Sequence, residues 1–207
     1  AKATVRVLSD SMGLYVHYTV VDPEPESVNA RYATRDHIWG GETAGLYLDP
    51  AGDGQRAYLF LCNPYGIQSD ATRVAGSGDS FSWDGQWMSA GRVTDTGYEI
   101  EIGIPWSSVR HPPSIDQIGL SLLYSNYRES QRSGWPRRDP DINGILIQQA
   151  ILTGPGVVEA GNKVQIIPEL TFGLNEDGIS QSRLGAAGLA PGLTLRWDPT
   201  AELQILG

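Results

Sequence analysis

The stretch Gly97-Tyr98-Glu99-Ile100-Glu101-Ile102-Gly103-Ile104-Pro105 decides the fold class. Tyr98, Ile100, Ile102 and Ile104 recur at every second position with Glu99 and Glu101 between them, the repeat of a strand that sets one face on a core and the other in water. Pro105 closes the strand because it has no N–H to give a ladder. The same period runs through Leu14, Val16, Tyr18 and Val20, with Tyr15, His17 and Thr19 on the opposite face, until Asp22-Pro23-Glu24-Pro25-Glu26 ends it. Ala1 to Leu8 also reads as strand. Leu46 to Leu48 leads into Asp49-Pro50-Ala51-Gly52-Asp53-Gly54, a turn by its residue types, and then into the apolar run Tyr58-Leu59-Phe60-Leu61-Cys62, so these two strands are expected to form a hairpin. Ile118 to Tyr124 reads as a further buried strand, and Trp106 to Arg110 as a single helical turn. With 25 Gly and 13 Pro punctuating short apolar or alternating segments throughout, the chain reads as all-β.

At 207 residues, with 40% hydrophobic and 9% aromatic side chains, the chain can bury one core and a small appendage. A formal net charge of -9 repels a phosphate backbone, and the only basic stripe is Arg128 to Arg138, so no nucleic-acid partner is expected. The lone Cys62 excludes an internal disulfide and any multi-cysteine metal site, and its apolar run marks a buried structural thiol. Hydrolase and nucleotide-binding signatures such as His-Glu-x-x-His, Gly-x-Ser-x-Gly or a phosphate loop are absent, and no catalytic residue is expected. Glu99 and Glu101, about 6.5 to 7 Å apart on one strand face, fall within the spacing of paired glycosidase carboxylates, but they read as solvated acids.

From Arg128 to Gly144 the chain is rich in Arg, Asp, Pro and Gly and reads as a long surface loop. Asp139 and Asp141 within it read either as oxygen ligands for a cation or as turn acids, and Arg137 and Arg138 beside them suggest internal ion pairing instead. Beyond Gly154-Pro155-Gly156 the texture changes to alternation through Val164, Ile166, Pro168, Leu170 and Phe172, and again through Leu193 to Trp197. We therefore divide the chain into residues 1–154, one domain, and residues 155–207, a strand-rich extension with too few strands for a core of its own, expected to dock on the first domain, pair with something else or continue into further strands.

Taken together, Val5 to Val21, Arg35-Asp36-His37-Ile38-Trp39, Leu46 to Asp49, Arg56 to Gln68, Trp83-Asp84-Gly85-Gln86-Trp87, Tyr98 to Pro105 and Ile118 to Tyr124 resemble family 9 carbohydrate-binding modules, with Tyr98-x-x-Glu101-x-x-Ile104-Pro105 the most specific match. The likeness is closest to the DOMON-like domains of this type at the N-terminus of bacterial outer-membrane β-barrel proteins, and Asn162 to Gly207 is similar to the start of that barrel. The resemblance implies a two-sheet antiparallel β-sandwich of jelly-roll or immunoglobulin-like form. It further implies that a sugar is clasped between Trp39 and Trp135, since the apolar C–H face of a pyranose stacks on a ring while its hydroxyls need polar partners. Glu42, Asn63, Tyr65, Gln68, Asn126 and Arg128 are the polar candidates. Positions that present polar groups to the sugar in the family fall here on Gly45, Leu59, Leu61 and Leu123.

Such an apolar face requires a cover, whether the tail after Gly156, an envelope protein or a flat ligand such as haem. Haem is disfavoured, because Met12, Met88, His17, His37 and His111 are the only usual axial ligands and none sits in a diagnostic spacing. Calcium accompanies the family, and Asp49 with Asp53 are its candidates here, against a plain hydrogen-bonded turn. The expected function is thus non-catalytic carbohydrate binding by a secreted or cell-envelope bacterial protein, in the periplasm or outer membrane. The alternative is an accessory subunit that docks other envelope proteins through the apolar face or the extension.

Overall fold

A computed structural model of the chain describes residues 1–112 and 114–154, together with the backbone of two further strands, Lys163–Leu174 and Ala187–Asp198. The chain divides into two compact units, Ala1–Ala160 and Gly161–Gly207. In the second unit the two long strands form an antiparallel pair. The alternation of their side chains lies outside the described residues.

The first unit is built from β1 (Lys2–Ser9), β2 (Gly13–Val21), β3 (Thr43–Asp49), β4 (Arg56–Cys62), β5 (Gln68–Val74), β6 (Asp79–Ser80), β7 (Met88–Thr94), β8 (Gly97–Pro105), β9 (Gln117–Asn126), β10 (Gln131–Trp135) and β11 (Ala150–Thr153). Every pairing is antiparallel. A four-stranded sheet runs β1-β2-β8-β7, and a seven-stranded sheet runs β10-β9-β3-β4-β5-β6 with β11 also on β9. The two sheets form the sandwich. Its core joins Leu14, Val16, Tyr18 and Val20 of β2 and the alternate residues of β8 to Ala44, Leu46 and Leu48 of β3, Phe60 of β4 and Leu120 of β9.

Sequence pattern and burial agree strand by strand. In β2 and β8 the inward residues are at most 2% exposed, while the outward ones other than glycine are partly or fully open. Strands β3 and β4 are buried on nearly every residue, which is why Tyr58 to Cys62 shows no alternation: a strand covered on both faces selects apolar residues at every position. The expected helical turn is present as a 3-10 turn at Trp106–Ser108, whose Trp106 fills the core and donates its indole N–H to the Asp10 carbonyl at 2.9 Å.

Two expectations need correction. The segment 128–144 is not all loop: Gln131–Trp135 pairs with β9 from Asn126 back to Leu122. All five residues of β10 are exposed, so this edge strand carries no apolar alternation and is held by backbone pairing alone. Nor do Arg137 and Arg138 pair with the acids beside them among the described residues. Asp139 instead accepts the Asp141 amide at 3.0 Å.

Candidate functional site

Two segments lie over the face of the large sheet that points away from the core. Ile38, from the segment between β2 and β3, and Leu146, from the segment after β10, are each buried in a second apolar cluster with Tyr47, Ala57, Leu59, Leu61 and Ala71; Ala33, Leu123 and Ile145 pack against it. The face carrying Leu59, Leu61 and Leu123 is therefore covered by the chain's own loops. Gly45 allows this layering, since a Cβ there would meet the Phe60 carbonyl oxygen at 1.9 Å.

The first of these loops, residues 29–42, is closed at its base: the Glu42 amide and the Asn29 side chain donate to the Asn29 and Gly40 carbonyls, both at 3.0 Å. Ends this close mark a compact surface loop of the kind that carries function. Along β5 the loop stands in for a neighbouring strand, with the Asp36 amide donating to the Gln68 carbonyl and the Asp70 amide to the Asp36 carboxylate, each at 3.0 Å. Asp36 adopts φ 64 to make this turn, a conformation that Asp tolerates better than most residues. Arg35 then locks the loop down, donating to the Gln68 side chain at 2.6 Å, to the Gly85 carbonyl at 2.8 Å and to the Asp70 carboxylate, with Asp84 at 3.5 Å. Burial pushes the Asp70 carboxyl up, opposed by the Gly85 amide and the Arg35 guanidinium.

Two aromatic platforms emerge from this loop. Trp39 is 53% exposed; its Nε1–H is fixed on the Asp36 carbonyl at 3.0 Å, and it meets Phe81 nearly perpendicular at 5.4 Å between centroids. Tyr32, 83% exposed, stacks on Tyr65 at 4.3 Å with the rings 8° from parallel. Trp135 stands elsewhere. Its register partner is Leu122, which packs toward the core between the sheets, whereas Ile38 beside Trp39 packs on the opposite face. Directly paired residues project from one face, so the two indoles are rooted on opposite faces of the large sheet.

The polar candidates fall into two groups. Asn63 and Gln68 brace the loop: Asn63 donates to the Arg31 carbonyl at 2.7 Å and accepts the Tyr65 and Ile67 amides, both at 3.0 Å, and Gln68 donates to the Trp87 carbonyl at 2.9 Å. Glu42, Asn126 and Arg128 meet at one end of the sandwich. Arg128 binds Asp22 at 2.8 Å across that end. Beneath it Glu42 and Asn126, 2% and 1% exposed, continue the inward faces of β3 and β9 as polar residues and meet the hydroxyl ends of Tyr98 and Tyr124. Glu42 accepts the Tyr127 amide at 3.2 Å, and burial pushes its carboxyl up. In Asp22 the Arg128 guanidinium and the Glu24 amide outweigh burial and hold the carboxyl down.

The turn after β3 leaves little for a cation. The Asp49 carboxylate, 1% exposed, accepts the Ala51, Gly52 and Gly54 amides at 3.1, 3.0 and 2.7 Å, and Asp53 accepts the Gln55 amide at 2.8 Å. These bonds take three of the roughly four acceptor sites of Asp49 and one of those of Asp53, the pattern of a hydrogen-bonded turn. Asp36, Asp70 and Asp84 converge within 4.8 Å, with the Arg35 guanidinium on Asp70 and Asp84. Cys62 is buried, and desolvation pushes its thiol up to about 12, which makes it inert. Of the possible axial ligands, His17 and Met88 line one groove on the small sheet. Glu99 is ion-paired with Arg92 at 2.5 Å, apart from Glu101.

Sequence reasoning missed Tyr32, Phe81 and the Arg35 network, because each depends on contacts between residues some thirty or more positions apart. Only the exposed aromatic and acidic residues between Arg31 and Trp39 hinted at them.

Comparison with known proteins gives three findings. The family described as carbohydrate family 9 binding domain-like matches residues 1–139. Among solved structures, a Bacteroides uniformis protein described as a candidate carbohydrate-binding protein is similar at 17% identity and a TM-score of 0.57, over 73% of this chain and 78% of that one. A family 9 carbohydrate-binding module from Caldicellulosiruptor kristjanssonii, solved with glucose, is similar at 16% identity and a TM-score of 0.42, over 64% of each chain. The first of these likenesses speaks for the fold alone. No curated protein matches.

Proposed function

Because this chain belongs to the carbohydrate family 9 binding domain-like family, we propose that it binds an oligo- or polysaccharide without turning it over. The observation that carries this reading is the family match over residues 1–139. Trp39 supplies the ring on which a pyranose stacks. Its indole is half exposed yet held in orientation by Asp36 and Phe81, so little freedom is lost when a sugar settles on it. The carboxylates of Asp36 and Asp84 and the guanidinium of Arg35 lie on the same loop and its neighbours, where hydroxyls need partners. Trp135 and Tyr127, each 50% exposed, offer separate rings at opposite ends of the β9–β10 hairpin. The setting we propose is the bacterial cell envelope or its exterior, where polysaccharide is met.

The test is retention on an array of glycans and on insoluble polysaccharides. Trp39→Ala is expected to weaken retention about tenfold, the size of one aromatic contact, with the thermal midpoint almost unmoved. Failure of the wild-type chain to bind any glycan would remove this reading.

A further inference from the structure

Three dipeptides among the described residues set a glycine directly after an Asp or Asn: Asp53-Gly54, Asp84-Gly85 and Asn143-Gly144. In such a pair the glycine amide nitrogen can reach the side-chain carbonyl carbon before it and close a five-membered imide, because no Cβ stands in the way. The fold treats the three differently. The Gly54 amide donates to the Asp49 carboxylate at 2.7 Å and the Gly85 amide to the Asp70 carboxylate at 2.6 Å, and both glycines are buried. A nitrogen held on another carboxylate cannot swing onto the side chain that precedes it.

Asn143-Gly144 is left open. It lies in the segment after β10, with both residues exposed and Gly144 at φ 100. Gln148 brackets it: Nε2 donates to the Ile142 carbonyl at 2.9 Å and to the Gly144 carbonyl at 3.0 Å, while Oε1 accepts the Asp139 amide at 2.7 Å. The peptide unit between those two carbonyls, from the Asn143 C=O to the Gly144 N–H, makes no hydrogen bond among the described residues, and neither does the Asn143 side chain. Chemistry separates the three pairs in the same direction. At neutral pH the aspartates are ionised and repel a nucleophile, whereas the Asn143 amide is neutral.

From this contrast we infer that Asn143 is a site of spontaneous deamidation, and that its conversion loosens the roof of the large sheet. The Gly144 nitrogen, its proton taken by hydroxide, attacks the Asn143 side-chain carbonyl carbon. That C–N bond forms, the bond to the side-chain nitrogen breaks, and ammonia leaves. Water then opens the ring at one of its two carbonyls, and no oxidant or reductant takes part. Cleavage at the side-chain carbonyl leaves an ordinary aspartate at position 143; cleavage at the main-chain carbonyl leaves isoaspartate, with the chain running through the former side chain. Either product sets a new carboxylate close in sequence to Asp139 and Asp141, and the second adds a methylene to the main chain between the carbonyls that Gln148 holds. Directly after Gly144, Ile145 and Leu146 join the cluster of Leu59 and Leu61. A bracket that no longer fits releases this cover. Nothing in the chemistry needs a bound glycan.

The experiment ages the full 207-residue chain at mildly alkaline pH and maps its tryptic peptides by mass, with an isoaspartate methyltransferase assay on each peptide and thermal unfolding of fresh and aged samples. The peptide that begins at Asp139 is expected to gain the mass of an amide turned to an acid, localised to Asn143 by fragmentation and partly present as isoaspartate. The peptides holding Asp53 and Asp84 are expected to stay free of isoaspartate. Aged wild-type chain is expected to melt about 2 to 4 °C lower, the shift that one modest lost contact gives in a chain of this size. Asn143→Gln, whose longer side chain closes the larger ring slowly, is expected to remain unconverted at this position and to keep its midpoint. An Asn143 that stays intact in the folded chain while converting in the excised peptide would overturn the site. Isoaspartate forming as fast at Asp53 or Asp84 in the folded chain would overturn the selection by the glycine amides. Conversion with an unmoved midpoint, or an equal fall in aged Asn143→Gln, would overturn the effect on the roof.

Discussion

The two sheets of the sandwich share one core and treat their other faces in opposite ways. The four-stranded sheet keeps its outer side in solvent, and its strands alternate. The seven-stranded sheet is roofed by residues 29–42 and by the segment after β10, and β3 and β4 are apolar almost throughout. The difference teaches that a continuous apolar run in an antiparallel sheet reports on the loops above it as much as on the core beneath. It also shows why the positions that would face sugar by family resemblance are leucines here: that face is an interior.

The comparison can be broken most directly on β4, where neighbouring residues point into the two layers. Phe60→Ala, in the core between the sheets, is expected to cost about 3 to 5 kcal/mol by chemical denaturation. Leu59→Ala, one residue away and under the loops, is expected to cost about 2 to 3 kcal/mol, the smaller figure because a loop cover can settle into the cavity. A Leu59→Ala loss within about 0.5 kcal/mol would mark that layer as surface after all. Met88→Ala, on the open face of the small sheet, is expected to change stability by no more than about 0.5 kcal/mol, since Met88 is 60% exposed.

A gentler effect concerns the polar end of the sandwich. Burial lifts the Glu42 carboxyl, so the folded chain keeps that proton where the unfolded chain has lost it. The stability Glu42 contributes is whole below the ordinary carboxylate range and fades as the pH rises through its elevated value. Asp49 and Asp70 are lifted by burial in the same way and add slopes of the same sign, whereas Asp22, held down by Arg128 and the Glu24 amide, contributes stability that is lost as the pH falls. Glu42→Gln is expected to flatten the decline in thermal midpoint between acid and neutral pH by its own share, and an unchanged profile would show that folding leaves the Glu42 carboxyl at its ordinary value.

The strands were legible wherever burial imposes a pattern. Tyr98 to Ile104 and Leu14 to Val20 alternate because one face is wet, and Tyr58 to Cys62 runs apolar because neither is. β10 left no such mark, since Gln131 to Trp135 is exposed on both faces. The roof over the large sheet was not legible either, because Ile38 and Leu146 are single apolar residues among polar ones. For the candidate site, Trp39 stands out through the family resemblance and not through any pattern of its own. The sequence could not show that Glu42, Asn63 and Asn126 are buried, because an acid or amide looks the same whether it meets solvent or ties down a turn. Nor could it show that Trp135 roots on the other face, which is fixed by the β9–β10 register.

The contact between Asp36 and β5 has a consequence for solubility. By occupying the Gln68 carbonyl and the Asp70 amide, the loop hides backbone groups that would otherwise recruit a strand from a neighbouring chain. Shortening the loop around Asp36 would bare a margin of β5 next to the apolar β4, the combination from which cross-β stacking starts. A loop retained for gripping a ligand would in that case also be what keeps the protein from sticking to itself.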